Sequence, residues 1–272
     1  VSRVLEEEGV NYFGVTSPSE AFLLRGKGIK SSILILGPTI LDQAKEIIKK
    51  DITQTICTKE MAFVLQGECK KLKKRFKVHI EVDTGMGRTG VPYQRTLKLI
   101  KEVVKIPELV VEGIFTHFST ADEEDKSFTK EQIKRFKGVL EKLEGEGIDI
   151  PLRHAANSAG ILNFSESYFN MVRPGLALYG IYPSEYVSRS LDLHPVMSLK
   201  SKVTYLKRVK KGATISYGKT YVTGKDTNIA ILPIGYEDGY NRLLSNKGEV
   251  IIKGKRVRIA GRVCMDQTIL DV

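Results

Sequence analysis

The chain has 272 residues, 42% of them apolar, enough to bury the core of one large domain or of a barrel with a smaller companion. Its formal charge of +11 is spread over segments such as Lys70 to Lys77 and Lys200 to Lys211. These lack the regular aromatic interleaving of a base-stacking surface, which argues against nucleic acid as a partner. No apolar run approaches the roughly 18 to 20 residues of a membrane span, and the N-terminal VSRVLEEEGV has no signal-peptide core. Cys57, Cys69 and Cys264 have neither disulfide-framework nor metal-ligand spacing, so no metal is expected and reduced thiols fit a cytoplasmic protein.

In chain order, Val1 to Glu8 reads as the tail of a helix, and Tyr12 to Thr16 as a short strand. The capping signal Ser17-Pro18-Ser19-Glu20 then opens an amphipathic run that stops at Gly26. Ser32 to Leu36 is a second strand, and Gly37-Pro38-Thr39 turns the chain into a helix over Ile40 to Lys49. Thr53 to Cys57 and a helix over Lys59 to Leu65 repeat the unit. Strands at Val78 to Val82, Gly113 to Phe118, Leu152 to Ala156 and Met171-Val172 continue it, with helices over Tyr93 to Val104 and Thr129 to Glu144. Alternation of this kind predicts parallel strands and an α/β fold, one strand short of a closed eight-fold barrel; the missing strand is expected upstream of Val1. An open doubly wound sheet would carry an early G-x-G-x-x-G, and none occurs. After Ser190 the pattern changes. His194 to Val209, Asn228 to Pro233, Glu249 to Ile252 and Arg256 to Val263 read as β runs without a helix between them, and the chain stops at Val272 inside what reads as a strand. The expected organisation is residues 1–192 as the barrel and 193–272 as an all-β domain, each incomplete at its outer end.

The chemistry gathers at strand ends. DTGMGRTG, Asp83 to Gly90, surrounds Arg88 with glycines, letting backbone approach a ligand while the guanidinium forks toward a carboxylate or phosphate. His117 follows in THFSTAD. Asn157 and Ser158 lie in HAANSAG, and Arg173 precedes a Pro174-Gly175 turn. Each has an ordinary structural account as well: a core histidine for His117, a helix cap for Asn157 and Ser158, a surface ion pair for Arg88, a solvated strand end for Arg173. Together they would line one rim, where ligands of alternating strand-helix proteins sit.

With DTGMGRTGV, THFSTAD, HAANSAG, FNMVRPGLALYG, ISYGKTY, PIGYEDGY and GRVCMDQT in this order, the sequence resembles bacterial alanine racemases. The resemblance implies a pyridoxal 5'-phosphate enzyme with a (β/α)8 barrel and a C-terminal β domain. Such an enzyme interconverts L- and D-alanine for peptidoglycan as a head-to-tail homodimer with shared active sites. It makes Tyr217 the base for the L-enantiomer's α-proton, reaching the site from the partner subunit. Arg173 is matched to the residue facing the pyridine nitrogen, His117 to its hydrogen-bond partner, and Ser158, Gly175 and Leu176 to phosphate contacts. Arg88 is matched to an arginine near the substrate carboxylate and the cofactor's phenolic oxygen, Met265 to a backbone contact with substrate from the other subunit, and Tyr236 and Asp266 to site-lining motifs. Asn157 is grouped with the cofactor residues. A guanidinium has no acceptor and keeps its proton, so at the ring nitrogen it would leave that nitrogen unprotonated and the ring a weaker electron sink, which suits racemisation over transamination.

Some features depart from the pattern. No K-A-N-A-Y-G-type segment with the cofactor-bonding lysine occurs, and Lys59, in CTKEMAF, has the setting of a helix start. A polypeptide limited to these residues would hold one of the two expected bases and is expected not to racemise alanine. The C-terminal segment that brings a further phosphate-contacting tyrosine does not occur either. Glu81 stands where many relatives have a lysine that becomes carbamylated, and is expected to orient Arg88 as a permanent carboxylate. Serine or broad-specificity racemases, a barrel decarboxylase suggested by Cys264 and Asp266, and a non-enzymatic cofactor-binding protein are the alternative functions.

Overall fold

The structure, a computed structural model, describes residues 1–39 and 41–272, and the chain divides into two units, Val1–Val196 and Met197–Val272. In the first unit, strands β1 (Tyr12–Val15), β2 (Ser32–Ile35), β3 (Thr53–Ile56), β4 (Phe76–Asp83), β6 (Leu109–Phe115) and β7 (Leu152–His154) lie side by side in that order, all parallel, and the short β5 (Val91–Pro92) pairs with the end of β4. Neighbours in sequence are neighbours in the sheet, as in a (β/α) barrel. The expected strand at Met171-Val172 contributes one parallel bridge, Met171 to His154. It is short because Pro174 ends the run, although Arg173 N still donates to Ala156 O at 2.9 Å and so keeps the segment against the chain beyond β7.

Helices α1 (Ser2–Glu7), α2 (Pro18–Gly26), α3 (Ala44–Lys49), α4 (Lys59–Leu72), α5 (Thr96–Val103), α6 (Ser127–Gly145) and α7 (Ser158–Asn163) alternate with the strands. Their starts are written locally. At α2, Ser17 Oγ accepts from Glu20 N (3.3 Å) and the Glu20 carboxylate accepts from Ser17 N, a reciprocal capping box. At α4, Thr58 Oγ1 accepts from Met61 N, so Lys59 does open a helix; the helix runs past Leu65 because Cys69 extends the buried stripe of Ala62 and Leu65. The expected helix start at Ile40 lies outside the described residues; a 3-10 turn over Leu41–Gln43 leads into α3. Ile33, Ile35, Ile56, Val78, Ile80 and Ile114, on the strands, are fully or almost fully buried, the near-continuous apolar signature of a parallel sheet covered on both faces.

The second unit is antiparallel. Strands β8 (Tyr205–Val209), β11 (Thr227–Leu232), β12 (Glu249–Ile252), β13 (Lys255–Ile259) and β14 (Thr268–Asp271) form one sheet in the order β12-β13-β14-β11-β8, and β9 (Thr214–Ile215) pairs with β10 (Tyr221–Val222). The β run expected from His194 begins only at Tyr205, where the ladder that β8 makes with β11 starts; before it Pro195 has no N-H to give and Val196 N donates to Tyr179 O instead of to a strand. The run expected to reach Val263 stops at Ile259, with Gly261 turning the chain at φ +81°; a Cβ there would fall 2.5 Å from Ser216 Cβ. Small clusters around Leu270, Ile259 and Ala230, and around Ile229 and Ile215, are its core. Among the described residues no helix is long and apolar enough to cross a membrane.

Candidate active site

The parallel strands of the first unit send their C-terminal ends to one rim, where the end of β4 carries Glu81 and Asp83, the loops that follow β4, β6 and β7 carry Arg88, His117 and Asn157-Ser158, and the chain after Met171 carries Arg173. A cavity of about 680 Å³ reaches this rim, where His117, Asn157, Ser158, Arg173 and Gly175 line it, and extends along β1 to Tyr12 and the chain before it, with Val10, Phe13, Leu34, Leu36, Leu176 and Leu178 among its apolar walls.

Arg173 organises this cavity. Its Nη1 donates to His154 Nδ1 at 2.7 Å, and its Nη2 donates to Thr116 O (2.8 Å) and Ala155 O (3.1 Å) and lies 3.4 Å from His117 Nδ1. The guanidinium carbon stands 5.2 Å from the centroid of Phe115, whose ring stacks on His154 at 4.8 Å and 10°. Half-buried at the cavity wall, the guanidinium is pushed down by desolvation to about 10, opposed by the Glu81 charge, and stays charged at neutral pH. Its neighbour His117 is pushed down to about 4, first by burial and then by Arg173 and Arg88, so it is a neutral imidazole. Gln132 sets the His117 loop: its Nε2 donates to His117 O at 3.0 Å and its Oε1 accepts from Ser119 N at 3.0 Å.

The opposite end of the polar side suits an anion. Ser158 Oγ accepts from the backbone N-H groups of Gly175 (2.9 Å) and Ala177 (3.1 Å), which draws two donors and a hydroxyl to one point. Asn157 Oδ1 is the N-cap of α7, accepting from Gly160 N at 2.9 Å, so its carbonyl is already used in the helix cap although the residue lines the cavity.

The loop after β4 is less tied to this cluster. Asp83 Oδ1 accepts from Gly85 N and Gly87 N and shapes the turn, and Arg88 is exposed. Glu81 is buried; Thr89 Oγ1 (2.9 Å) and Cys57 Sγ (3.6 Å) donate to its two oxygens, and Arg88 acts on it through charge rather than a hydrogen bond among the described residues. Burial raises the Glu81 carboxyl, outweighing those bonds and the charges of Arg88 and Arg173. Half-buried Cys57 beside it is pushed up to about 12, mainly by desolvation, and is no nucleophile.

In the second unit the functional candidates lie on the surface. Tyr217 is 64% exposed, in a turn entered through Ser216 at φ +63° and ψ −176°, a region rarely used by a residue with a side chain. The Ser216 hydroxyl holds that turn by donating to Arg262 O at 2.6 Å. The PIGYEDGY and GRVCMDQT loops meet: Tyr236 N donates to Cys264 O and Glu237 N to Met265 O, and Gly235 allows it, since a Cβ there would stand 2.3 Å from Met265 O. Tyr236, Met265 and Asp266 are exposed around this junction. The sequence reading missed Ala177, whose part is played by backbone alone, and did not assign His154 a role although its motif was in view.

The alanine racemase N-terminal domain family matches residues 1–183 and the alanine racemase C-terminal domain family residues 196–272. An alanine racemase of Desulforamulus reducens is 49% identical over 278 residues, covering all of this chain and 74% of the relative, and alanine racemase 2 of Caldanaerobacter subterraneus is 46% identical over all of this chain and 70% of its own length. Among solved structures, an alanine racemase of Clostridium difficile 630 superposes with a TM-score of 0.94 at 39% identity, covering the whole of this chain and 71% of that one. A histidine racemase from Leuconostoc mesenteroides gives 0.89 at 30% identity, over 100% of this chain and 73% of that one.

Proposed function

The chain belongs to the alanine racemase family, pyridoxal 5'-phosphate-dependent isomerases that interconvert L- and D-alanine, and on that premise we propose how its own residues serve the reaction. The observation that carries the proposal is Arg173. It has five N-H donors, of which His154, Thr116 and Ala155 take three, leaving the Nε-H and one Nη1-H uncommitted among the described residues while the side chain lines the cavity.

The residues present fit the cofactor. The cavity is within the roughly 300 to 1,000 Å³ typical of small-molecule sites, with the Ser158 hydroxyl, whose oxygen accepts from Gly175 N and Ala177 N, left to donate its proton to a phosphate, and with a fixed cation for the ring nitrogen. Ser158, Gly175 and Leu176, with Ala177, would hold the phosphate; Asn157 lies on the same wall. When bound, the cofactor supplies the electron sink that acidifies the substrate's α-proton. Arg173, which can only donate, would face the ring nitrogen without giving up its proton, leave that nitrogen unprotonated and so moderate that sink. Neutral His117 packs against Arg173 and adds no second charge. Arg88, exposed and linked to Glu81 through charge alone, reads the substrate carboxylate. Tyr217 takes or returns the proton on the L-enantiomer's face, with the backbone of Met265 and the side chains of Tyr236 and Asp266 shaping the entry.

The exposure of Tyr217 and Met265 supports a homodimer in which the second unit of one subunit completes the cavity of its partner. Residues 1–192 would then be the cofactor domain and 193–272 the domain that supplies the partner's base. The enzyme is read as cytoplasmic, with alanine as its small-molecule partner. Arg173→Gln should cut racemisation by roughly two to three orders of magnitude, the usual loss for one preorganised donor. Retention of racemase activity in that variant would remove the basis of the proposal.

A further inference from the structure

The hydrogen bonds that start at Arg173 continue past His154 through the interior of the first unit. His154 Nε2 lies 2.9 Å from His79 Nδ1. His79 Nε2 lies 3.4 Å from the Tyr12 hydroxyl and 3.6 Å from Glu112 Oε2. The Tyr12 hydroxyl donates to Glu112 Oε2 at 2.8 Å and sits 2.9 Å from Thr53 Oγ1, and Lys77 Nζ meets Glu112 Oε1 at 2.6 Å. Both histidines have no exposed surface.

The chemistry of the two ends orients the whole chain. Arg173 has no acceptor, so His154 Nδ1 must accept and carry no proton. A neutral His154 then bears its proton on Nε2 and donates to His79 Nδ1, which in turn must accept. His79 therefore bears its proton on Nε2, facing the Tyr12 oxygen and the Glu112 carboxylate. Every bond points the same way, from the cation at the cavity to the anion near the start of the strands. The burial of both imidazoles lowers their proton affinity and agrees with two neutral rings. Burial works to raise the Glu112 carboxyl, but hydrogen bonds from His79, Lys77 and Tyr12 together pull it down to about 2, so it is an anion throughout the working range.

The strands are also built around this path. The pairing of β4 with β6 shifts register between Val78 and His79, and the residue opposite His79 is Gly113. A Cβ at Gly113 would fall 2.4 Å from the His79 ring. A glycine inside a strand ordinarily weakens it; here its missing side chain is the space that lets the imidazole reach His154.

We propose that His79 and Glu112, assisted by Tyr12, are positioning residues for Arg173, fixing one tautomer on both buried imidazoles so that the guanidinium is held in one orientation toward the cofactor ring. This rests on the reading of Arg173 as the ring-nitrogen contact, and its test begins without the cofactor. Long-range proton–nitrogen NMR on the cofactor-free, nitrogen-15-labelled protein should show His79 and His154 both protonated at Nε2 and bare at Nδ1. A proton on Nδ1 of either ring overturns the proposal. In the holoenzyme, Glu112→Gln should mix the tautomers and lower kcat on the order of tenfold with KM within about twofold, and Glu112→Asp should recover most of the loss. Gly113→Ala should reproduce the Glu112→Gln signature from the other side of the His79 ring. Unchanged tautomers and unchanged kcat in Glu112→Gln would overturn the role of Glu112, and mixed tautomers with full kcat would overturn the coupling to Arg173. If instead Arg173→Gln racemises normally while the wild-type tautomers are as described, the ring-nitrogen reading alone has failed.

Discussion

The two units prepare their functional groups in opposite ways. In the first, the polar residues of the site are buried or half-buried and tied down: Arg173 reaches His154 and backbone carbonyls, Gln132 holds the His117 loop, and Ser158 gathers two backbone donors. In the second, Tyr217, Tyr236 and Met265 are each about half exposed or more, and what is specified is the backbone that presents them, through the unusual φ of Ser216 and the glycine contact at Gly235. A cofactor site can be preorganised within one chain by burying charge with its partners. On the proposed dimer reading, a group that serves a neighbouring subunit has to remain on the surface, so precision is placed in its loop instead.

That contrast can be sharpened by mutation. Tyr217→Phe should have the largest effect: a loss of racemisation of about two to four orders of magnitude, the range for a removed acid-base group, with the unfolding midpoint unchanged because the hydroxyl is on the surface. An activity loss accompanied by unfolding would show that Tyr217 is structural, and the contrast between the units would fail. Ser158→Ala should act on both stability and the cofactor. It strips an acceptor from Gly175 N and Ala177 N, destabilising the first unit by about 0.5 to 1.5 kcal/mol and weakening pyridoxal phosphate binding roughly tenfold, read by equilibrium titration. A variant that binds the cofactor normally would show that the Ser158 hydroxyl is not a phosphate contact.

Acid should separate the two units least dramatically but with a definite sign. His79, His117 and His154 all have folded-state proton affinities below the ordinary 6.5, that of His117 falling to about 4. The unfolded chain therefore binds more protons in this window, so the stabilisation is complete above about pH 6.5 and is lost as pH falls toward 4. The first unit's unfolding midpoint should drop by several degrees over that range, and His117→Asn should remove part of the slope. A midpoint independent of pH there would mean that the histidines are not buried neutral.

Much of this was legible in the sequence. Strand-helix alternation, the capping box at Ser17 and Glu20, and glycine-rich strand ends gave the parallel unit, since those signals are local. The ordered motifs gave the family. What sequence reading could not give was partnership across strands. Nothing local joins His79 to His154, 75 residues apart, or Tyr12 to Glu112, 100 apart, and Gly113 reads as an ordinary weak point in a strand until its neighbour is known. The overlong β runs at His194 and Arg256 failed for the same reason. Periodicity proposes a strand, but a ladder needs a partner, and Pro195 and Gly261 end the chain's access to one.

The central claim is that Arg173, donating only, leaves the cofactor's ring nitrogen bare. It is tested most directly by the nitrogen-15 chemical shift of ring-labelled pyridoxal phosphate bound to the enzyme near neutral pH. The shift of an unprotonated pyridine, moving toward the pyridinium value in an Arg173→Glu variant, is the predicted result. A pyridinium shift in the wild-type enzyme would contradict the account.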